Sequence, residues 1–314
     1  KAWKVPLVIL VGVTVVGFFL LADERPVATQ DTAMEKTSRD EVGETETADA
    51  VSTERNQAVS VPEVTDYRDL TAREASVTEV VSQLDAPWAF AWLPSGDLLV
   101  TERFGALRVV RDGELLPETV RGVPDVFSSG QGGLLDVTVH PNFESNSFVY
   151  VSYAHGTNEG NRLRVARARL VETALENFEV IFEVGETKTG NQHFGSRFAW
   201  LPDGTLLFSV GDGGNPPLEY NGDLIREQAQ NLSAHLGKII RINDDGSIPN
   251  DNPFIGRPDV NPEIYSYGHR NVQGIDYVAS NNRVLASEHG SKGGDELNEI
   301  QAGENYGWPL TTFA

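Results

Sequence analysis

The stretch FAWLPSGDLLV, Phe90 to Val100, returns as FAWLPDGTLLF, Phe198 to Phe208. Each copy is an apolar run, a turn built on Pro with Ser-Gly or Asp-Gly, and a second apolar run. That pattern specifies two antiparallel strands joined by a tight connection. A degenerate copy, DVTVHPNFESNSFVYVSYA, lies between them, and a weaker one, GIDYVASNNRVLASEHG, follows. Hairpins recurring at the spacing of a four-stranded sheet are the signature of a β-propeller. A β-sandwich also has short strands, but nothing in it calls for a repeated FAWLP.

The rest of the folded part agrees. DLLVTER, ALRVVRDG, SFVYVSYA, RLRVARARL, TLLFSVGDGG and KIIRINDDG are strand-length and end in turn residues. RLRVARARL alternates apolar and basic residues, as a half-exposed strand does. Only GDLIREQAQNLSAHLG suggests a helical turn or two. The fold class is therefore all-β, a propeller in which about four blades fit between Ser76 and Ala314. The Trp residues of FAWLP are expected in the blade cores.

Upstream of Ser76 the texture differs. Lys1 and Lys4 precede an uncharged, mostly apolar run from Val5 to Ala22. Such a run spans roughly 27 Å at ~1.5 Å per residue, just enough for a bilayer. Positive flanks stay in the cytoplasm, and no clear small-x-small cleavage site follows. Residues 1–22 are thus expected to be a membrane anchor or signal segment. Residues 23–75, acidic and poor in large apolar side chains, are expected to be a disordered linker, and residues 76–314 the propeller. The expected location is exported, periplasmic or on the outer face of the cytoplasmic membrane.

Charge and composition exclude several classes. The 314 residues carry a formal net charge of −21, which argues against a nucleic-acid partner, since phosphates require clustered Lys and Arg. With no cysteine, disulfides, thiolate metal sites and a Cys nucleophile are out. No serine nucleophile elbow, HExxH, Walker sequence or full GxGxxG is present. GDGGN and NDDGSIPNDN have the composition of calcium loops but lack the 12-residue EF-hand pattern, and they read as turns.

Loops at one end of a propeller converge on its central channel, and four stand out. SSGQGGLLD carries Gln131. TGNQHFGSR carries Asn191, Gln192, His193 and Arg197. YSYGHRNVQG carries His269, Arg270, Asn271 and Gln273. SEHGSKGGDELNEIQAGENYGWP carries Glu288, His289, Lys292, Asp295, Glu296 and Tyr306. On residue type alone His193 is a base or a structural histidine, and Arg270 with Asn271 a ligand pair or a loop brace. His269 is expected to pack or to brace a loop.

These loops, in this order, with GQGGLLDVTVHPNF, GKIIRINDDGSIPNDNPF and EHGSKGGDELNEIQAGENYGWP, resemble the soluble PQQ-dependent glucose/aldose sugar dehydrogenase family from about Leu84 to Trp308. NQHFG is closer to its broad-specificity aldose branch. The resemblance implies a six-bladed β-propeller of four-stranded antiparallel sheets, of which about four blades lie in this chain. It implies PQQ-dependent oxidation of an aldose at the anomeric carbon to the lactone, with His193 as general base. It implies that Gln131, Arg270 and Asn271 contact PQQ, and that Gln131 and Gln192 face the sugar. Gly290 and Ser291 would offer backbone carbonyls to a Ca2+ ion that bridges to PQQ, and Glu296 and Tyr306 would belong to a second, structural Ca2+ site. The electron acceptor, a quinone or a cytochrome, is not specified.

Two departures qualify this. Gln192 stands where many glucose-type members place an acidic residue beside the base, so the base is either weaker or held by another partner. The family's Lys and Arg ligands for the PQQ carboxylates fall beyond Ala314. Two alternatives stay open: a non-catalytic propeller that binds a protein or glycan, and a PQQ dehydrogenase of another polyol or a sorbosone-like substrate.

Overall fold

The computed structural model describes residues 78–311. The anchor or signal segment 1–22 and the linker 23–75 lie outside the described residues.

The chain forms successive antiparallel sheets in sequence order. Blade 1 is β1 (Pro87–Trp92), β2 (Leu98–Glu102), β3 (Ala106–Arg111) and β4 (Glu114–Leu115). Blade 2 is β5 (Leu134–Val139), β6 (Phe148–Gly156), β7 (Asn161–Val171) and β8 (Ala174–Glu183). Blade 3 starts with β9 (Phe198–Trp200) and β10 (Leu206–Val210). It is interrupted by a small hairpin, β11 (Glu219–Tyr220) and β12 (Asp223–Leu224), and a 3-10 turn, Ile225–Gln230, then completed by β13 (Lys238–Ile242) and β14 (Ile264–Tyr267). Blade 4 is β15 (Val272–Val278), β16 (Arg283–Glu288) and β17 (Glu296–Ile300).

The two FAWLP copies pair alike, Phe90 with Val100 and Phe198 with Phe208. The second strands β2 and β10 are buried throughout, which is why they read as continuous apolar runs rather than alternating ones. In β7 the basic residues face outward and pair with β8: Arg162 and Arg164 with Glu183, and Arg167 with Glu179.

Three apolar cores separate the blades. Leu99, Leu107, Leu134 and Val151 fill the first, Leu135, Tyr150, Phe198 and Phe208 the second, and Leu207, Ile239, Val272 and Val284 the third. Each such buried side chain contributes about 1.5–3 kcal/mol. The expectation for the FAWLP tryptophans holds only in blade 3. Trp200 packs its ring edge-on to Tyr150 at 5.0 Å, whereas Trp92 is 50% exposed and Phe90 40%. The letters are the same, but the face of blade 1 that bears Phe90 and Trp92 has no blade against it among the described residues.

A buried hydroxyl fastens each blade to the next. Thr101 on β2 donates to the carbonyl of Leu135 at 2.6 Å and accepts from the Ala89 N–H at 2.9 Å. Ser152 on β6 donates to the Ser196 carbonyl at 3.0 Å and accepts from the Asp136 N–H at 2.9 Å. Ser209 on β10 donates to the Val272 carbonyl at 2.9 Å and accepts from the Arg197 N–H at 3.1 Å. All three are fully buried. Ser287 on β16, opposite Gly274, occupies the corresponding register and is exposed.

Blade 4 has three described strands instead of the four expected. After β17 the chain turns through Gln301–Gly303 and returns to blade 3. There the Gly303 N–H donates to the Tyr265 carbonyl at 2.7 Å and the Tyr306 N–H to the Tyr267 carbonyl at 2.9 Å.

Candidate active site

In an antiparallel blade the start of the first strand and the end of the second lie at the same end of the sheet. Gln131 precedes β5, His193 precedes β9 and Arg270 and Asn271 precede β15, while Asp212 follows β10 and His289 follows β16. The propeller therefore gathers these residues from distant parts of the sequence.

His193 is their centre. It is buried, and its backbone is left-handed, with φ +50°. A non-glycine residue held there stores on the order of 1 kcal/mol, and its neighbours supply the restraint. The His193 N–H donates to Oε1 of Gln131 at 2.7 Å. The Gly195 N–H donates to Oδ1 of Asn271 at 3.1 Å. Gly211 passes so close that a Cβ there would collide with the His193 carbonyl oxygen.

The imidazole partner is Asp212, fully buried. Its Oδ1 accepts from His193 Nδ1 at 2.6 Å and from the Gly214 N–H at 3.0 Å, and its Oδ2 accepts from Trp308 Nε1 at 2.7 Å. A carboxylate only accepts, so the proton of the neutral ring sits on Nδ1 and Nε2 presents its lone pair. That is the tautomer a base requires.

Arg270 anchors the other side. Its two terminal nitrogens donate to the His289 carbonyl and to Oδ1 of Asn215, both at 3.0 Å, and its guanidinium carbon lies 5.4 Å from the Trp308 ring centre. Asn215 in turn donates to Oε1 of Gln192 at 3.1 Å. Arg270 Nε is buried with no hydrogen-bond partner. An orphaned charged donor of this kind is costly, and it fits a ligand rich in acceptor oxygens. PQQ, with its three carboxylates, is such a ligand.

His269, expected to pack or to brace a loop, does both. Fully buried, it contacts Ser266 Oγ at 2.9 Å and Glu288 Oε2 at 3.1 Å and stacks on Tyr306 at 4.6 Å. Glu288 also accepts from the Arg270 N–H, so the two loops behind Arg270 are braced together.

The remaining expected residues divide. Gln131, Gln192, His193, Arg270 and Asn271 come together in one network of hydrogen bonds. Gly290 and Ser291 lie in the adjoining loop, where the Gly290 N–H donates to Oδ1 of Asp295 at 2.8 Å. A Cβ on Gly290 would collide with the carbonyl oxygens of Gly293 and Gly294, so the loop folds tightly back on itself there. Among the described residues no three His, Cys, Asp or Glu side chains converge as metal ligands. Glu296 and Tyr306 do not share a partner. The Glu296 carboxylate accepts from Asn298 at 3.0 Å, while the Tyr306 hydroxyl donates to the Glu299 carbonyl at 2.7 Å and accepts from the Gln301 N–H at 2.8 Å.

Asp212 and Trp308 escaped the sequence reading. Asp212 lies in GDGGN, which reads as a turn. The one available signal was the need of a buried histidine for a partner that Gln192 does not provide.

The chain is similar to known proteins over most of its length. The family described as Glucose / Sorbosone dehydrogenase matches residues 84–314. An uncharacterized protein of Synechocystis sp., slr1608, is 58% identical over 77% of this chain and 60% of its own length. The aldose sugar dehydrogenase YliI of Escherichia coli is 39% identical over 78% of this chain and 65% of its own length. The chain thus spans 60% to 65% of the length of these two relatives. Among solved structures, the apo-form of the soluble aldose sugar dehydrogenase from Escherichia coli covers 73% of the chain and is itself 64% covered, at 39% identity and a TM-score of 0.67. The PQQ-bound form of the Streptomyces coelicolor aldose sugar dehydrogenase covers 75% of the chain and is 66% covered, at 33% identity and a TM-score of 0.63. With the family model matched from residue 84 to residue 314 and relatives of 39% and 58% identity over more than three quarters of the sequence, the chain belongs to the Glucose / Sorbosone dehydrogenase family.

Proposed function

We propose that the protein oxidises aldose sugars at the anomeric carbon to the lactone, using PQQ and Ca2+. The observation that carries this reading is the His193–Asp212 pair, with Nε2 of the imidazole presenting its lone pair. When bound, PQQ supplies a two-electron acceptor for the hydride from the anomeric C–H. His193 Nε2 takes the proton of the anomeric hydroxyl, so the sugar loses one hydride and one proton and gains a C=O bond. Asp212 holds the ring in the basic tautomer and stabilises the imidazolium that forms. Gln131 fixes the His193 backbone and keeps its amide NH2 available for the sugar, and Gln192 borders the same network through Asn215. Arg270 would hold acceptor oxygens of PQQ through Nε, and its positive charge favours the reduced, more anionic state of that group. Gly290 and Ser291 belong to the loop whose carbonyls would hold Ca2+.

Carboxylate pairing alone does not mark a base, since the packed His269 has it with Glu288; what supports the catalytic reading is that His193 combines its carboxylate with a left-handed backbone at φ +50°. The test is dye reduction by the full-length protein with PQQ and Ca2+ across a panel of aldoses, with lactone identified as the product. Absence of cofactor-dependent turnover on every aldose in a protein that binds PQQ would overturn the proposal. On the strength of the Val5–Ala22 run, the same reading tethers the propeller outside the cytoplasmic membrane. Recovery of a soluble mature protein beginning near Asp23 would reject the tether.

A further inference from the structure

Lys188 has no part in the chemistry above, yet it is 5% exposed and sits beside its centre. Its backbone is fixed to blade 2: the Asn161 N–H donates to the Lys188 carbonyl at 2.8 Å and the Lys188 N–H to the Asn161 carbonyl at 3.0 Å. From that anchor the side chain crosses toward blade 3. Nζ donates to the carbonyl of Gln192, the residue before His193, and to the carbonyl of Gly213, the residue after Asp212, the latter at 3.1 Å. Nζ also lies 3.8 Å from the ring centre of Phe194, the residue after His193, at cation–π distance.

We infer that Lys188 is a positioning residue for the His193–Asp212 pair: its ammonium ties together the two backbone segments that carry imidazole and carboxylate, and so holds them in register. The inference rests on the dehydrogenase reading only for its consequence in catalysis.

Two observations separate this role from ordinary packing. The other charged groups lining the cavity shared by Lys188 and His193 are Glu186 and Arg162, and both are engaged elsewhere. Glu186 accepts from the His235 N–H at 3.1 Å, and Arg162 donates to Glu183 at 3.1 Å and to the Val184 carbonyl at 3.2 Å. Asp212 is therefore the carboxylate whose field reaches Lys188. Burial pushes the Lys188 ammonium down to about 7, and Asp212 opposes that shift. A cation kept in so dry a place needs specific acceptors, and the acceptors it has are carbonyls on either side of the pair.

The test is proton NMR of the full chain without cofactor. The imidazole Nδ1–H bonded to Asp212 should give a far-downfield resonance, assigned by its absence in His193→Ala. In Lys188→Met, which keeps the chain length but has no donors, that resonance should be lost or move upfield while the circular dichroism of the sheets is unchanged. A folded Lys188→Met with the resonance in place overturns the inference. Should this variant fail to fold, 15N-lysine labelling of the unmutated chain serves instead. Slowly exchanging Lys188 ammonium protons with cross-peaks to the amides of His193 and Gly214 support the tie, and a freely exchanging ammonium without them overturns it. In the loaded full-length enzyme, Lys188→Met should lower kcat by about 10–100-fold with KM within about threefold, and an unchanged kcat also counts against the role. The NMR measurement needs no cofactor. Loss of the resonance in a protein that oxidises no sugar would leave the tie standing and remove the dehydrogenase reading.

Discussion

Nδ1 of His193 lies 2.6 Å from Oδ1 of Asp212, nineteen residues further along the chain and on the other side of the β9–β10 hairpin. The hairpin is short, so its two open ends lie side by side, and the pair forms with both side chains buried. Asp212→Asn keeps the shape but removes the negative charge and leaves one acceptor oxygen where two now serve His193 Nδ1 and the Gly214 N–H on one side and Trp308 Nε1 on the other. kcat in the full-length enzyme should fall by about 10²–10⁴-fold with PQQ still bound. Steady-state kinetics beside a cofactor absorbance measurement will show it, and retention of most of the activity would take Asp212 out of the mechanism.

His193→Ala should lower kcat by about 10²–10⁴-fold, roughly 3–5 kcal/mol of barrier. Because φ at His193 is left-handed, His193→Gly is the informative companion. It relieves the strain while also removing the base, so it should be at least as stable as the alanine variant and equally inactive. Melting temperature and kcat measured on one preparation separate a base from a packing residue.

Arg270→Lys preserves charge, but one ammonium nitrogen cannot reproduce the planar spread by which two terminal nitrogens reach the His289 carbonyl and Asn215 while Nε stays apart for a ligand. PQQ affinity, read by fluorescence titration in the presence of Ca2+, should drop by about 10–100-fold, equivalent to roughly 1.4–2.7 kcal/mol. An unchanged affinity would mean that the orphaned Nε does not face the cofactor.

Lys238 gives a pH signature remote from the chemistry. Its Nζ donates to the carbonyls of Gln228, Ala229 and Leu236 at 2.8, 3.0 and 2.7 Å, and burial pushes it down from 10.5 to about 7, against the pull of Glu186. Below pH 7 folded and unfolded chains both hold the proton, and the cost of burying the charge is felt in full. Between 7 and 10.5 the unfolded chain binds the extra proton, so folding becomes more favourable as pH rises. Wild type should gain about 2 kcal/mol on Lys238→Met between pH 7 and pH 9. Urea unfolding of both proteins at pH 7, 8 and 9 measures the difference, and a constant gap would show that Lys238 stays charged throughout.

The hydroxyl fasteners can be tested in a pair. Ser152→Ala strips the Ser196 carbonyl and the Asp136 N–H of their shared buried partner and should cost about 2 kcal/mol. Ser287→Ala, at the equivalent but exposed position, should be neutral to within ~0.5 kcal/mol. Equal effects in denaturant unfolding would remove the distinction.

The FAWLP repeat made the fold legible, because a hairpin is a local object and its register follows from the turn. The gathering of Gln131, His193, Arg270 and Asn271 was legible too, since each precedes the first strand of its own blade. What the residues hid was orientation. Gln192 and His193 are neighbours, yet the Gln192 side chain meets Asn215 while the imidazole meets Asp212. The left-handed backbone at His193 redirects the ring, and nothing in the residue type announces that φ. Lys188 was hidden for a related reason: its partners are backbone carbonyls, which carry no letter. The path of the chain after β17 depends on pairing with Tyr265 and Tyr267, a contact between blades that no local pattern encodes.

The fasteners Thr101, Ser152 and Ser209 all donate to main-chain carbonyls of the following blade. A carbonyl is present whatever residue occupies the position, so the joint imposes no demand on the side chains of its neighbour. Blades joined in this way can diverge independently, or be copied, without a matched change next door. The loops above them are then free to acquire new substrates while the ring that presents them keeps its assembly rule.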